Sequence, residues 1–459
     1  MIRSPDLQKW LNLFAFLILD LSSVAILSSI TTVEPSKSIL GFDFVLSINP
    51  VNTIVFLLII YLIRAGVSFW ILMRIFQRPA VFQIHPQIGF DDIPIGRFNG
   101  KLLREWTLET ATKLRIRPRN IFIARTAIPN AYTLDFGIPF VYKKSYIVIN
   151  SNIARILNEN EMKAVISHEL GHIRNSDSII RLILSGPHFF LQIAYLLLYL
   201  RMIIGIANAL VNEFDAIIAF IRFLVLLVIV VIATIVSDVA VGFLRKSNRM
   251  SEFIADQVAL RTMGPGPTIN MLIKLGQRTD VLETLKNELV WLEKRDGYKT
   301  DIRRLLILEL LETFPESEID NQKARQDAAA FYLKKSLLML KEQYYLDLFS
   351  TPNVEEKIQE ASKRLFEERS SLLKGKSDDQ EKPKGTEKHE QKYIDWQDFD
   401  ANKDYFLDDS EIREFIKYIR ANPKIMYSAD RRESGGTSKN HPSFRKRILN
   451  IAGKVGYLE

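Results

Sequence analysis

The chain has 459 residues, 47% hydrophobic and 25% charged, with 61 Lys and Arg against 53 Asp and Glu and a net charge of +8. It has no cysteine, which excludes disulfides, thiolate-bound zinc and thiol catalysis. The positive excess is spread out, without a basic stripe interleaved with aromatics, so nucleic acid is not expected as a partner. High apolar content beside high charge points instead to separate membrane and soluble parts.

Taken in chain order, the predicted elements begin with apolar runs. Stretches 11–30, 54–76, 179–204 and 216–243 are each long enough for a bilayer, which takes about 20 apolar residues. The first reads as a retained anchor, because its run is long, Asp20 sits at its centre and no small-residue cleavage site clearly follows. The third is interrupted by Arg181, Gly186-Pro187, His188 and Gln192, with a kink expected at Pro187. Asp20 and Arg64 fall near the middles of two consecutive spans. An antiparallel hairpin (1–77) then sets them at one depth, where pairing relieves the cost of two charges in lipid. Arg3, Lys9, Arg74, Arg78, Arg174, Arg181, Arg245, Lys246 and Arg249 flank the spans, whereas 31–53 holds only Lys37 and 205–215 holds no Lys or Arg. The positive-inside rule puts both termini and segment 78–178 on the cytoplasmic side.

Segment 78–178 reads as a soluble domain. Residues 100–114 are expected to be helical, with Pro118 stopping the pattern. "NIFIART" (120–126), "AYTLDFG" (131–137) and "SYIVINS" (145–151) read as strands rich in Ile, Val, Tyr and Thr. Then comes "VISHELGHIRNSD" (165–177), on a helix with Asn158 as its cap. His168 and His172 project from one face a turn apart, so two imidazole nitrogens can reach one ion. Glu169 lies beside that axis, where it can reach a metal-held water without ligating the metal. Gly171 leaves room above the helix. The competing picture is two solvated histidines on an amphipathic helix.

After 179–243, taken as the second membrane pair, 244–280 carries "NRMSEFIADQVAL" (248–260), a helix ending near Gly264-Pro265-Gly266-Pro267. Glu252 and Asp256 share one of its faces. A catalytic zinc takes three protein ligands and one open position, so without cysteine the third must be a histidine or carboxylate. Residues 281–373 read as a helical insertion, with Leu282, Leu285 and Leu289, then Leu333, Leu337 and Leu340, at core spacing. Residues 374–391 have almost no apolar content and read as a disordered linker. Within 392–420, "DANKDYFLDDSE" (400–411) fits an EF-hand loop, with calcium ligands at Asp400, Asn402, Asp404, the Phe406 carbonyl, Asp408 and Glu411. Its sixth position, normally Gly, is Tyr405. An acidic turn between two helices is the plainer alternative. The C-terminal element is 421–459.

"IPNAY", "VISHELGHIRNSD", two spans, "NRMSEFIAD" and "HPSFRKRI" (441–448), in that order, resemble the HtpX-type membrane zinc metalloproteases, relatives of the CAAX prenyl endopeptidases. The resemblance implies a mostly α membrane protein with four transmembrane helices and a cytoplasmic α+β zincin-like catalytic domain, a small sheet packed on the HExxH helix. It implies one zinc on His168, His172 and Glu252, Glu169 as general base, and Asp256 orienting a ligand histidine. Asn130 and Ala131 would lie near the substrate strand, and His441 would face the site and help hold the tetrahedral intermediate. Asn248 and Asn440 depart from the family's usual Ser and Thr, and the insertion is additional to its short pattern. The expected activity is cleavage of membrane or misfolded polypeptides at the cytoplasmic face of a bacterial inner membrane. The readings set against it are a CAAX-type processing protease, a non-catalytic scaffold or calcium sensor, and a transporter subunit suggested by Asp20, Arg64 and His188.

Overall fold

The computed structural model describes residues 5–31, 50–76, 81–84, 94–124, 130–138, 142–151, 153–178, 180, a few positions between 196 and 211, 216–276, 396–422 and 441–458. The expected third span, helical insertion and linker lie outside these residues, apart from a few helical positions in the span. The chain forms two compact units: Met1–Gln77 with Gly137–Tyr142 and Ser176–Ser251, and Arg78–Phe136 with Lys143–Asn175 and Glu252–Glu459. Helices and a small mixed sheet make up the fold.

In the first unit, helices α1 (Pro5–Thr31) and α2 (Pro50–Phe76) pack together. Among the described residues, no helix is long and apolar enough to cross a membrane. The charges in these two helices pair. Arg64 Nη1 donates to Asp20 Oδ2 (2.7 Å) and Nη2 to Oδ1 (3.2 Å), a two-pronged contact with Arg64 fully buried and Asp20 nearly so. Tyr61 donates its hydroxyl to Asp20 Oδ2 (2.6 Å). Lys9 pairs with Asp177, which also accepts from Ser251 Oγ.

The second unit holds the sheet. Strands β1 (Val81–Ile84), β4 (Asn120–Ala124), β5 (Ala131–Ile138) and β6 (Tyr142–Asn150) line up as β1-β4-β6-β5; β2 (Pro94–Ile95) and β3 (Phe98–Asn99) form a separate ribbon. β1 runs antiparallel to β4, and β4 parallel to β6. The register sets Ile121 beside Ile147 and Ile123 beside Ile149. These buried side chains share one core with Leu103 and Trp106 of α3 (Gly100–Lys113) and with Met162, Val165, Ile166, Leu170 and Ile173 of α5 (Glu159–Arg174). The short α4 (Ile153–Ile156) leads from β6 into α5. α3 ends at Leu114, and Arg115 turns left-handed at φ 56°, ahead of the expected stop at Pro118.

The apolar stretch 216–243 and "NRMSEFIADQVAL" are one continuous helix, α6 (Ala216–Met263). Gly264 (φ 85°) breaks it, and residues 265–276 form α7. A turn at Trp396–Asp398, α8 (Asp409–Ala421) and α9 (Phe444–Lys454) close the unit. Trp396, Leu407, Ile412, Phe415 and Ile416 join the core, together with Ile448 and Ile451 of α9.

Asp20→Ala leaves the Arg64 guanidinium buried without its counter-charge and is expected to cost about 3–5 kcal/mol. Adding Arg64→Leu should recover part of that loss. Thermal or denaturant unfolding of the purified single and double mutants checks this, and an Asp20→Ala protein as stable as wild type refutes it.

Candidate metal centre

α5 is held at its start by a capping box. Asn158 Oδ1 accepts the Glu161 N–H (2.9 Å) and Glu161 Oε2 accepts the Asn158 N–H (2.8 Å). The i, i+4 spacing then carries His168 and His172 side by side, their Nε2 atoms 3.2 Å apart and their rings at 88°. Glu252 enters from α6, with Oε2 3.5 Å from His168 Nε2 and Oε1 3.6 Å from His172 Nε2. Bonds of about 2.0–2.1 Å in a tetrahedron set neighbouring donors about 3.3–3.4 Å apart, so these three atoms fit a zinc ion. Among the described residues they are the one such group of three His, Cys, Asp or Glu donors, and all three residues are buried.

Gly171 makes the convergence possible. A Cβ there would stand 3.0 Å from Ala255 Cα and 3.3 Å from Val258 Cβ. The space above Gly171 is therefore filled by α6, not left open as the sequence suggested. Contact of Gly171 with Ala255 puts Glu252, one turn earlier, opposite the histidines.

A ring of charge surrounds the donors. His168 Nδ1 lies 3.0 Å from Asp256 Oδ1, which fixes that nitrogen as donor and turns Nε2 toward the ligand group. Arg447 of α9 grips Asp256 with two hydrogen bonds, Nε to Oδ2 (2.9 Å) and Nη2 to Oδ1 (2.6 Å). Its Nη1 is 3.6 Å from Glu252 Oε2. His441 Nδ1 reaches Glu252 Oε1 at 2.9 Å. Burial works against the His168 imidazolium, but hydrogen bonds to Asp256 and Glu252 overcome it and push the group up to about 9. Glu252 is held well below the usual carboxylate range against the penalty of burial, by His441 and His172. Asp256 is lowered against the same penalty, by Arg447 and His168. These anionic surroundings favour a positive charge between the histidines, whether proton or metal ion.

Glu169 is buried on the same helix turn, and its charge helps hold the proton on Arg447. Asn130 O accepts from Asn150 N (3.1 Å), and Ala131 opens β5, an edge strand of the sheet. Sequence reading gave Arg447 no role, although "HPSFRKRI" contains it. Nothing local signals it, because Arg447 lies 191 residues from Asp256 in sequence and only the fold brings them together.

In the loop 400–411, Tyr405 is left-handed at φ 63° and Leu407 is buried. Its side chains are engaged with the loop's own amides: Asp400 accepts from Asp404 N and Tyr405 N, Asp404 from Phe406 N, and Asp408 caps α8. Glu411 accepts from Ala401 N and Asp408 N. Asp400, Asp404, Asp408 and Glu411 are not gathered into a three-donor group as the histidine site is.

Comparison with known proteins agrees with this centre. The family model described as peptidase family M48 matches residues 100–365, more than half of the chain. Similar proteins include protease HtpX of Psychrobacter sp., 24% identical over 177 residues covering 37% of this chain and 53% of the relative. Protease HtpX of Pseudomonas fluorescens is 24% identical over 209 residues, 44% of this chain and 66% of the relative. Plastoglobule-localized metallopeptidase 48 of Arabidopsis thaliana is 34% identical over 67 residues, 15% of this chain and 18% of the relative. The chain spans about half the length of HtpX relatives such as the Psychrobacter protein. No solved structure matches. With His168, His172, Glu252 and Arg447 joined at one buried centre, the chain belongs to peptidase family M48.

Proposed function

We propose that the chain is a zinc-dependent endopeptidase that binds one zinc ion and cleaves polypeptides in or beside a membrane. The observation that carries this is the meeting of His168, His172 and Glu252 at separations suited to a tetrahedral ion, with Glu169 next to the first histidine. A bound zinc supplies Lewis acidity, which makes water a nucleophile near neutral pH and polarises the peptide carbonyl. Glu169 takes the proton from the attacking water and returns it to the leaving amine nitrogen. Asp256 holds His168 by Nδ1, and Arg447 balances the buried charge of Asp256 and Glu252. His441, tied through Nδ1 to Glu252, faces the oxyanion of the tetrahedral intermediate. The substrate strand lies near Asn130 and Ala131, where an extended segment can add to edge strand β5, a mode that reads backbone more than sequence.

The membrane reading keeps four spans, with both termini and the metal centre cytoplasmic. Its support is the apolar surface of the first unit. Leu11, Phe14, Ile18, Leu58, Leu62, Phe220, Leu227, Val231 and Ile235 all stand exposed, far more contiguous apolar surface than water tolerates. The flanking Lys and Arg orient it. Calcium at 400–411 rests on ligand spacing and on the left-handed Tyr405.

Glu169→Gln is expected to retain zinc and to lose cleavage of β-casein by at least about a hundredfold, as removal of a general base does. Metal analysis and the cleavage rate of purified protein check both halves, and wild-type cleavage by this variant ends the assignment. Gly171→Ala replaces a poor helix former with the best one, yet should weaken zinc binding about tenfold by driving α6 away. Chelator competition measures it, and unchanged affinity would mean that the contact does not set the site. For calcium, titration calorimetry on the full chain should show binding heat that Asp400→Ala removes. No heat at millimolar calcium leaves a structural turn alone.

A further inference from the structure

Lys274 stands outside the ligand set but is wired to it. It projects from α7 and is 5% exposed. Its Nζ donates to Glu161 Oε1 (2.6 Å) and to the Tyr405 carbonyl (2.6 Å), and lies 5.2 Å from the Trp396 ring centroid. Glu161 is fully buried, and its other oxygen closes the capping box of α5 on Asn158. One ammonium thus joins three elements: the start of the ligand helix, α7, and the loop before α8.

A helix cap needs none of this. A capping glutamate works while exposed to water, whereas burying an ion pair carries a desolvation penalty that its own attraction does not reliably offset. Burial indeed pushes the Glu161 carboxyl upward, with Lys274 and the Asn158 amide pulling against it. The arrangement makes sense as a device for placement. Glu161, His168 and His172 lie at i, i+7 and i+11, one face of one helix. A hydrogen-bonded helix moves as a body, so a shift at Glu161 reaches both imidazoles. The loop is also seated on α7 by a second clasp, one turn from Lys274. Asn270 Oδ1 accepts from Leu407 N (2.8 Å) and its Nδ2 donates to Leu407 O (2.8 Å).

We propose that Lys274 is a positioning residue which, through Glu161, sets the placement of His168 and His172 according to how the 400–408 loop is docked. The inference rests on the zinc-peptidase reading of the site. It makes the C-terminal helix–loop–helix a support of the metal centre rather than an appendage. The test uses the full chain as Lys274→Met, Asn270→Ala and the double mutant, measuring zinc loss to a chelator, kcat and KM on β-casein, and unfolding temperature. Lys274→Met is expected to lose zinc about tenfold faster and to lower kcat about tenfold with KM within about twofold, the size seen when supports behind metal ligands are removed. Asn270→Ala should move both quantities the same way, and the double mutant should be no worse than Lys274→Met, since both cut one connection. Three results overturn the proposal: wild-type zinc loss and kcat in Lys274→Met, effects that multiply in the double mutant, or a kcat loss that vanishes when the assay is cooled by the fall in unfolding temperature. Should Lys274→Met not fold, Asn270→Ala decides alone by the same two readouts. A wild type that cleaves nothing defeats the peptidase reading, while the zinc-loss comparison still judges Lys274.

Discussion

The contact between Gly171 and Ala255 is the constraint on which the centre depends. A chain without cysteine can offer a metal ion only imidazoles and carboxylates, and here three such donors come from two helices far apart in sequence. An imidazole and a carboxylate are short reaches from their backbones, so the helices must come closer than ordinary side-chain packing permits. Only a residue without Cβ allows the backbone of α6 to within 3.0 Å of where that atom would be. The small Ala255 on the facing side completes the approach. The glycine's cost in helix propensity, about 1 kcal/mol, is borne inside a helix buried on nearly all sides.

Bringing Glu252 and Asp256 into that interface creates a second problem, two buried carboxylates a turn apart. Arg447 answers it with a forked contact to one and proximity to the other. His168 then inherits its orientation from Asp256. The C-terminal helix α9 is therefore electrostatically part of the centre, although it is about two hundred residues from Glu252 in sequence.

Much of this was legible in the sequence, and the parts that were share a cause. The HExxH spacing, the cap at Asn158, the three central strands and the left-handed sixth position of the 400–411 loop are all local patterns, fixed by helix or strand period and turn geometry. The Asp20–Arg64 pair was legible for a different reason: the two charges fall at matching places in consecutive apolar runs, where an unpaired charge is costly. What escaped was long-range. Gly171 read as open room above its helix, because one helix viewed alone does not reveal its neighbour. Strand β1, the β2–β3 ribbon and α4 are too short to show a period. The Glu161–Lys274 pair is likewise long-range: only the fold shows that both are buried against one another.

The nitrogen and oxygen donor set has a consequence for the surroundings in which the centre can work. Thiolate-bound zinc is released when oxidants convert the sulfur, so such sites double as redox sensors. His168, His172 and Glu252 would offer peroxide no sulfur to oxidise at a bound metal, and the chain has no thiol to relay damage or to crosslink it. What would compete with a metal ion at such a set is the proton, which the same carboxylates favour on His168. A cell under oxidative attack would leave this ligand set intact, and acidification would be the challenge that empties it.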